Sequence, residues 1–452
     1  MHLGMIRVSV VVVLFIGILS PPSFAQAANA EQAHQPIPTL TLDDAIQRAS
    51  ANEPTFAAAV AESKATALER KDAKAALLPS VTYHNQFVFT QSNHTQASTT
   101  QGGASESLPV FIANNAVHEY YSQGVVNETI GLAQTAAVHL AEANAARAEA
   151  EMEIARRGLV ATVVQLYFGV QSSQAKLVIA NRALEEAKRF VEITQKRESA
   201  RESAHADVIK ARLAQQQRQR EIEDLGLAES KARLELGVLL YPDPSTPFHL
   251  AEETAPPVLP DRVTVETAAR ANNPEIRSAL ASLRAGKAET QSAWAGLFPD
   301  LALNYTYGID APQLSKHGPD HSINLGYSAS ATVDIPVWDW LTSERKVKEA
   351  HIRAEANKVA LTAAQRRLLA YLAEYYDEAE TARQQLASLD ASVMDARDSL
   401  RLTNMRYVNG EGTVLDVVDA QNTLVTTESA RVEGTVRYHL ALAQLETLTG
   451  RL

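Results

Sequence analysis

The sequence predicts a mainly α-helical chain with a small β part, built from one unit used twice. Two repeated signatures and the composition carry this reading. Asn52-Glu53-Pro54, a helical run, Leu78-Pro79 and a strand-like stretch at 80–90 return in the same order as Asn272-Asn273-Pro274, a helical run, Phe298-Pro299 and a strand-like stretch at 300–309. Later in each half a second signature recurs, as Asp207-Val208-Ile209-Lys210-Ala211-Arg212 and Asp416-Val417-Val418-Asp419-Ala420-Gln421. The chain is rich in Ala, Gln, Glu, Arg and Leu, which favour long helices. A duplicated helix–strand–strand–long-helix unit points to a pore built from repeats rather than to a catalytic pocket.

Charge and cysteine usage narrow the classes. A formal charge of −11 argues against nucleic acid as a partner, because phosphate binding needs clustered Lys and Arg. The absence of cysteine excludes disulfides, thiolate metal sites and lipidation through an N-terminal Cys. Residues 1–25 read as a secretory signal: Arg7 supplies the positive region, 8–19 the apolar core, and Ser23-Phe24-Ala25 the small residues before cleavage, with Ala28-Asn29-Ala30 as a second site. The competing reading is an uncleaved anchor; the short apolar core favours cleavage. No later segment approaches the ~20 apolar residues that span a bilayer as a helix. The predicted mature chain is exported, and any membrane crossing must use strands.

The elements follow in order. Residues 26–38 read as a flexible lead. Residues 40–78 are helical with a break near 52–54, where Pro54 suits a first-turn position because its missing N–H would be unpaired there anyway. Pro79 stops that helix. Beyond it Val81, Tyr83, Phe87 and Phe89 alternate with Thr82, His84, Gln86 and Thr90. Residues 91–119 are Gly/Ser/Thr-rich and read as a loop, and 120–130 as a weaker strand placed mainly by position. Residues 131–199 hold no proline and few glycines; at ~1.5 Å per residue that helix reaches on the order of 100 Å and needs partners along its length. A polar break at 198–204 precedes another helix to about 240. Six prolines between 241 and 261 mark an extended linker. The predicted division is therefore 26–240 as the first repeat, 241–261 as the linker and 262–452 as the second repeat. In the second repeat Leu301, Leu303, Tyr305, Tyr307 and Ile309 alternate with Ala302, Asn304, Thr306 and Gly308, and residues 323–333 form the clearest strand of the chain.

Alternation suits a strand with lipid outside and water inside, and equally an antiparallel sheet on a soluble core. The strand count separates the two. Four strands cannot close a barrel, and an open edge cannot sit in lipid with unpaired N–H and C=O groups. If these strands span a membrane, several copies share one barrel; three copies of four strands give twelve. Trp338 and Trp340 after the last strand, and Trp294 and Phe298 before the third, suit a membrane–water girdle. Packing at a helix–strand junction is the alternative.

In these residues the chain resembles the TolC-like outer membrane efflux protein family over nearly its whole mature length. The most specific piece is Arg406-Tyr407-Val408-Asn409-Gly410, followed by Leu415-Asp416-Val417-Val418-Asp419-Ala420-Gln421 and ending in Leu445-Glu446-Thr447-Leu448-Thr449-Gly450. Ile335-Pro336-Val337-Trp338-Asp339 resembles the family's strand-exit motif. The resemblance implies a homotrimer whose outer-membrane β-barrel, four strands per chain, continues as a long periplasmic α-helical barrel. It implies contact with outer-membrane lipid, end-on docking with a periplasmic adaptor protein, and an inner-membrane transporter that supplies the energy. It implies a passive exit duct for efflux or type I secretion, with no enzyme activity and no cofactor. The structural alternative is an exported coiled-coil scaffold or adhesin. Drug, metal-ion and protein cargo all stay open.

The candidate site residues follow from the same match. Asp416 and Asp419 lie three apart on one helix face, at positions that line the family's periplasmic constriction. Rings of carboxylates repel, raise one another's pKa and attract cations, so an acidic gate is expected. Thr413-x-x-Asp416 also has the pattern of a capping box. Tyr407 and Asp207 match positions that tie neighbouring tip helices closed, and Arg406 and Arg197 occupy corresponding places in the two halves. Gly410 and Arg197 mark the expected adaptor-docking tips. Gly412 offers no base to pair with Asp207, and the first tip, 198–204, lacks the glycine that Gly410 supplies in the second. His317, Asp320 and His321 cluster in a predicted loop, and a solvated loop is the simpler reading there than a metal site. No phosphate-cradling loop and no nucleophile–base constellation is present.

Overall fold

A computed structural model describes residues 38–89, 118–251, 257–318, 322–335 and 338–450. The predicted signal segment, its cleavage sites, residues 91–117, Pro336, Val337, Asp320 and His321 lie outside the described residues. The described part from Thr39 onward is one unit. Its helices are α1 (Leu42–Asn52), α2 (Pro54–Ala75), α3 (Leu132–Ser199), α4 (His205–Leu240), α5 (Arg262–Asn272), α6 (Pro274–Ala295), α7 (Thr342–Val408) and α8 (Val414–Thr449). Its strands are β1 (Thr39–Leu40), β2 (Ser80–Phe89), β3 (His118–Ile130), β4 (His249–Leu250), β5 (Asp300–Ala311) and β6 (Leu325–Asp334). No helix among the described residues is long and apolar enough to cross a membrane.

Local chemistry sets the helix boundaries. Thr41 and Asp44 form a reciprocal capping box at the start of α1, with bonds of 3.2 and 3.1 Å. The breaks at Pro54 and Pro274 are built alike. Glu53 accepts from the Phe56 N–H at 2.6 Å and Asn273 from the Ile276 N–H at 2.9 Å, each just before a first-turn proline. Helix lengths agree between the halves: 11 residues in α1 and α5, 22 in α2 and α6, 36 in α4 and α8, and 68 against 67 in α3 and α7.

The helices pack side by side. Towards the strands the order is α2–α3–α6–α7; at the other end it is α4–α3–α8–α7. Two polar contacts join the levels. Asn52 donates to the Leu240 carbonyl at 2.7 Å, so α2 begins where α4 ends. Arg157 donates to the carbonyls of Thr447 at 2.7 Å and Asn272 at 3.1 Å, so α6 begins where α8 ends. Helices α1 and α5 lie against this row at mid-height over two apolar clusters. One centres on Leu40, Val163, Tyr167, Leu236 and Phe248, the other on Val265, Leu368, Leu372 and Leu445.

The sheet runs β2-β3-β5-β6, antiparallel throughout, with β2 and β6 as its edges. Its register aligns Val81 with Val126, Val126 with Tyr305 and Tyr305 with Ala329. One face thus gathers Val81, Tyr83, Phe87, Tyr305, Tyr307 and Tyr327, all exposed. The other gathers Thr82, Gln86, Asn127, Asn304, Thr306 and Ser330.

Three sequence expectations change. The stretch read as a weak strand, 120–130, is the longest of the sheet at 13 residues, starting at His118. Gly124 and the polar residues Ser122 and Glu128 interrupt its alternation, but pairing on both sides fixes it without a strong signal of its own. The last strand starts at Leu325 rather than 323, because Ile323 forms an isolated bridge with His317. The proline-rich linker is not wholly irregular: β4 pairs in parallel with β1. Tyr167 Oη donates to the Leu40 and Ala251 carbonyls, both at 3.2 Å, and so holds this pair against α3. A two-residue pair has no period for a sequence pattern to show.

Candidate functional site

At the end of the helical row away from the sheet, four helices meet over a small apolar core. Phe190 and Val191 of α3, Ala211 of α4, Tyr407 of α7, and Val414 and Val417 of α8 are all buried there. Both inter-helix turns at this tip use the same backbone solution. After α3, the Arg201 N–H bonds the Glu198 carbonyl and the Glu202 N–H the Arg197 carbonyl, each at 2.8 Å. After α7, the Gly410 N–H bonds the Tyr407 carbonyl at 3.1 Å and the Glu411 N–H the Arg406 carbonyl at 2.9 Å. The left-handed residue is Gly410 at φ 81° in one turn and Arg201 at φ 65° in the other. The first tip therefore forms the same turn without the glycine.

Asp416, Asp419 and Arg406 come together. They line one hollow of about 240 Å3 with Ser399, Thr403, Gly412 and Thr423. Asp416 is also half of a capping box: it accepts from the Thr413 N–H at 2.8 Å, while its own N–H donates to Thr413 Oγ1 at 3.3 Å. The Thr413 N–H, then the Thr413 hydroxyl, hold the Asp416 carboxyl below the usual aspartate range. Arg406 donates from Nη2 to the Glu411 carbonyl at 3.2 Å and forms no ion pair among the described residues.

The other four predicted residues sit apart from that hollow. Tyr407 is buried, packs edge-on against Phe190 at 5.1 Å between centroids and donates to Thr194 Oγ1 at 3.3 Å. Arg197 reaches across from the first tip. Its guanidinium lies 4.9 Å from the Tyr407 ring centroid, and Nη1 donates to the carbonyls of Tyr407 and Val408. Arg197 Nε is 3.8 Å from Glu202, a loose ion pair. A Cβ added to Gly410 would stand 3.6 Å from Arg197 Nη2, so the two docking candidates are neighbours. Asp207 opens α4, accepts from Ser203 Oγ at 3.2 Å and lies 3.8 Å from Lys210 Nζ. Within one chain Arg197 thus staples the two tips, and Asp207 stays on its own helix.

A second charged cluster escaped the sequence reading. The buried Glu428 of α8 takes bonds from Arg397 Nε at 3.0 Å and Nη2 at 2.5 Å and lies 3.6 Å from Arg182. These residues line a groove of about 480 Å3 with Glu186, whose carboxyl burial pushes up. The partners come from three helices, so no local spacing announces them. His317, of the weighed loop cluster, pairs only its backbone with Ile323, and among the described residues no group of three or more His, Cys, Asp or Glu is placed to hold a metal.

Residues 45–240 and 267–451 match the family described as outer membrane efflux protein. Protein CyaE of Bordetella pertussis is 27% identical over 446 residues, which cover 95% of this chain and 88% of that protein. Outer membrane protein OprJ of Pseudomonas aeruginosa is 24% identical over 316 residues, 68% of this chain and 63% of that one. The fold matches the crystal structure of the outer membrane protein VceC of Vibrio cholerae with a TM-score of 0.74 at 19% identity, over 90% of this chain and 96% of that one. OprJ and VceC are outer membrane proteins, and the matched family is one of efflux proteins rather than of enzymes. The two matched segments bracket the proline-rich linker and contain the tip, both long helix pairs and the sheet: the chain belongs to the outer membrane efflux protein family.

Proposed function

We propose that this chain forms the exit duct of a tripartite efflux or type I secretion system, as a passive homotrimeric channel gated at its periplasmic tip. The observation that carries the reading is the pair of open edges. Strand β2 and helices α2 and α4 bound the row on one side; β6 and α7 bound it on the other. In lipid, each unpaired edge group costs several kcal/mol. Joining β6 and α7 of one copy to β2, α2 and α4 of the next removes every edge at once. Three copies close a twelve-stranded barrel above a helical barrel. The agreement of helix lengths between the halves supports an internal duplication, which places equivalent tips around the ring.

The exposed apolar sheet face supports contact with outer-membrane lipid, and the polar face a wet lumen. Trp338 and Trp340 are 69% and 76% exposed, which favours an interfacial girdle over junction packing. The scaffold or adhesin reading leaves that apolar face without a role. The N-terminal signal is cleaved on export. A periplasmic adaptor docks at the tips marked by Gly410 and Arg197, and an inner-membrane transporter drives the cargo.

At the tip, Asp416 and Asp419 of three chains form the gate. Inside one chain the cap lowers the Asp416 pKa; neighbouring carboxylates on the three-fold axis push the other way and attract cations. Tyr407, Asp207, Arg406 and Arg197 hold the closed tip through many individually weak links, about 0–1 kcal/mol each where exposed, so a docked partner can open it. Purified trimer in planar bilayers tests the gate. Replacing both Asp416 and Asp419 by Ala raises conductance or weakens divalent-cation block; unchanged conductance and block leave Asp416 as a helix cap alone.

A further inference from the structure

We propose that the outer face of the sheet carries a site for one phospholipid with a primary ammonium headgroup, phosphatidylethanolamine, centred on Glu128. The inference rests on the reading that this face meets lipid.

Two rows of the register build the site. Val126, Tyr305 and Ala329 form one row; Glu128, Leu303 and Ala331 form the next, with Pro79 following on the β2 side. The small side chains of Ala329 and Ala331 stand beside Tyr305 and Leu303. The step from large to small leaves a hollow of about 400 Å3, lined by these residues. That lies within the roughly 300–1,000 Å3 of small-ligand sites.

Glu128 is the only carboxylate on this face among the described strand residues. It is half-buried and makes no side-chain hydrogen bond or ion pair with a described residue. A lone charge on a lipid-facing surface is costly, by an amount that falls towards the interface, and calls for a counter-charge. Its depth suits a headgroup. It lies two residues before Ile130, the end of β3, so it stands about 7 Å from the strand end. Strand β6 ends at Asp334, one residue beyond the Ile130 row and shortly before Trp338 and Trp340. An occupant must place a cation beside the carboxylate and an apolar chain over the two alanines. A primary ammonium brings three N–H donors to the carboxylate, as a lysine does, and its acyl chain fills the hollow.

Native mass spectrometry of the detergent-extracted full chain tests this. The probe is an equimolar mixture of phosphatidylethanolamine and phosphatidylglycerol with identical acyl chains. The expected result is about tenfold greater retention of phosphatidylethanolamine, the scale of one charge-assisted bond. Glu128→Gln keeps the size and removes the charge, and brings the ratio to about one. Ala329→Leu fills the hollow and lowers phosphatidylethanolamine retention with Glu128 intact. Equal retention by the unaltered protein, or a preference that survives Glu128→Gln, overturns the site while leaving the channel reading in place. A water-soluble chain that retains neither lipid overturns both.

Discussion

Arg157 shows how single residues hold the long helices in register. It is buried, bonds two helix-end carbonyls and pairs through Nε with Glu153 at 2.7 Å. Hydrogen bonds from Arg156, against the opposing pull of burial, and from Arg157 hold the Glu153 carboxyl down at about 2. Because the folded value lies below the unfolded 4.5, this stabilisation is present above pH 4.5 and drains as pH falls towards about 2. The thermal midpoint of the wild type should therefore drop across that window, and that of Glu153→Gln should drop less. Equal slopes would remove Glu153 from the account. No sequence motif points to Arg157. Its partner carbonyls are 115 and 290 positions away, and only the folded row brings them together. Asp416 and Asp419 were legible, by contrast, because helical spacing and a capping pattern are local.

Among the elements, the two tip turns offer a matched pair. Arg201 holds φ 65° where Gly410 holds φ 81°. A side chain in that region costs about 1–2 kcal/mol, partly offset because glycine gains more freedom when unfolded. Arg201→Gly should stabilise the first tip by about 1 kcal/mol, which amide exchange reads as roughly fivefold slower exchange at Glu202. Gly410→Ala should speed exchange at Glu411 by a similar factor. Faster exchange in Arg201→Gly would show that the arginine side chain, not the backbone, sets the turn. The same comparison explains what was readable. Helices bounded by Asn-x-Pro and by threonine caps announce their ends through side-chain chemistry. The first tip has no glycine to mark its left-handed residue, and Ala204 before α4 supplies no side-chain cap. Strands β2, β5 and β6 alternate visibly, whereas β3 is fixed by the partners on its two sides.

For the whole molecule, the trimer reading makes association the property to test. Helix α4 carries Leu213, Leu227 and Leu234 at spacings of fourteen and seven residues, with Val238 one turn further, and all are exposed in the single chain. Leu227 and Leu234 are 57% and 45% exposed. On the trimer reading they pack against α7 of the next copy. Light scattering of the detergent-solubilised protein should give the mass of three chains, and Leu227→Ser with Leu234→Ser should give the mass of one. A variant that keeps the wild-type mass would place the intersubunit seam elsewhere. The four-stranded sheet was the most legible global feature, because three of its strands alternate visibly. The β1–β4 clasp was not, since it rests on burial rather than pattern.

Apart from α1 and α5 at mid-height, the helices stand in a single file, and a palisade has joints but no inner storey. Burial in such a row comes from the joints between neighbours and from the cover that α1 and α5 add. The backbone path is shared with VceC at 19% identity. On the trimer reading, the inner side of the palisade is free to vary in chemistry to suit cargo, while the joints that close the ring keep their packing.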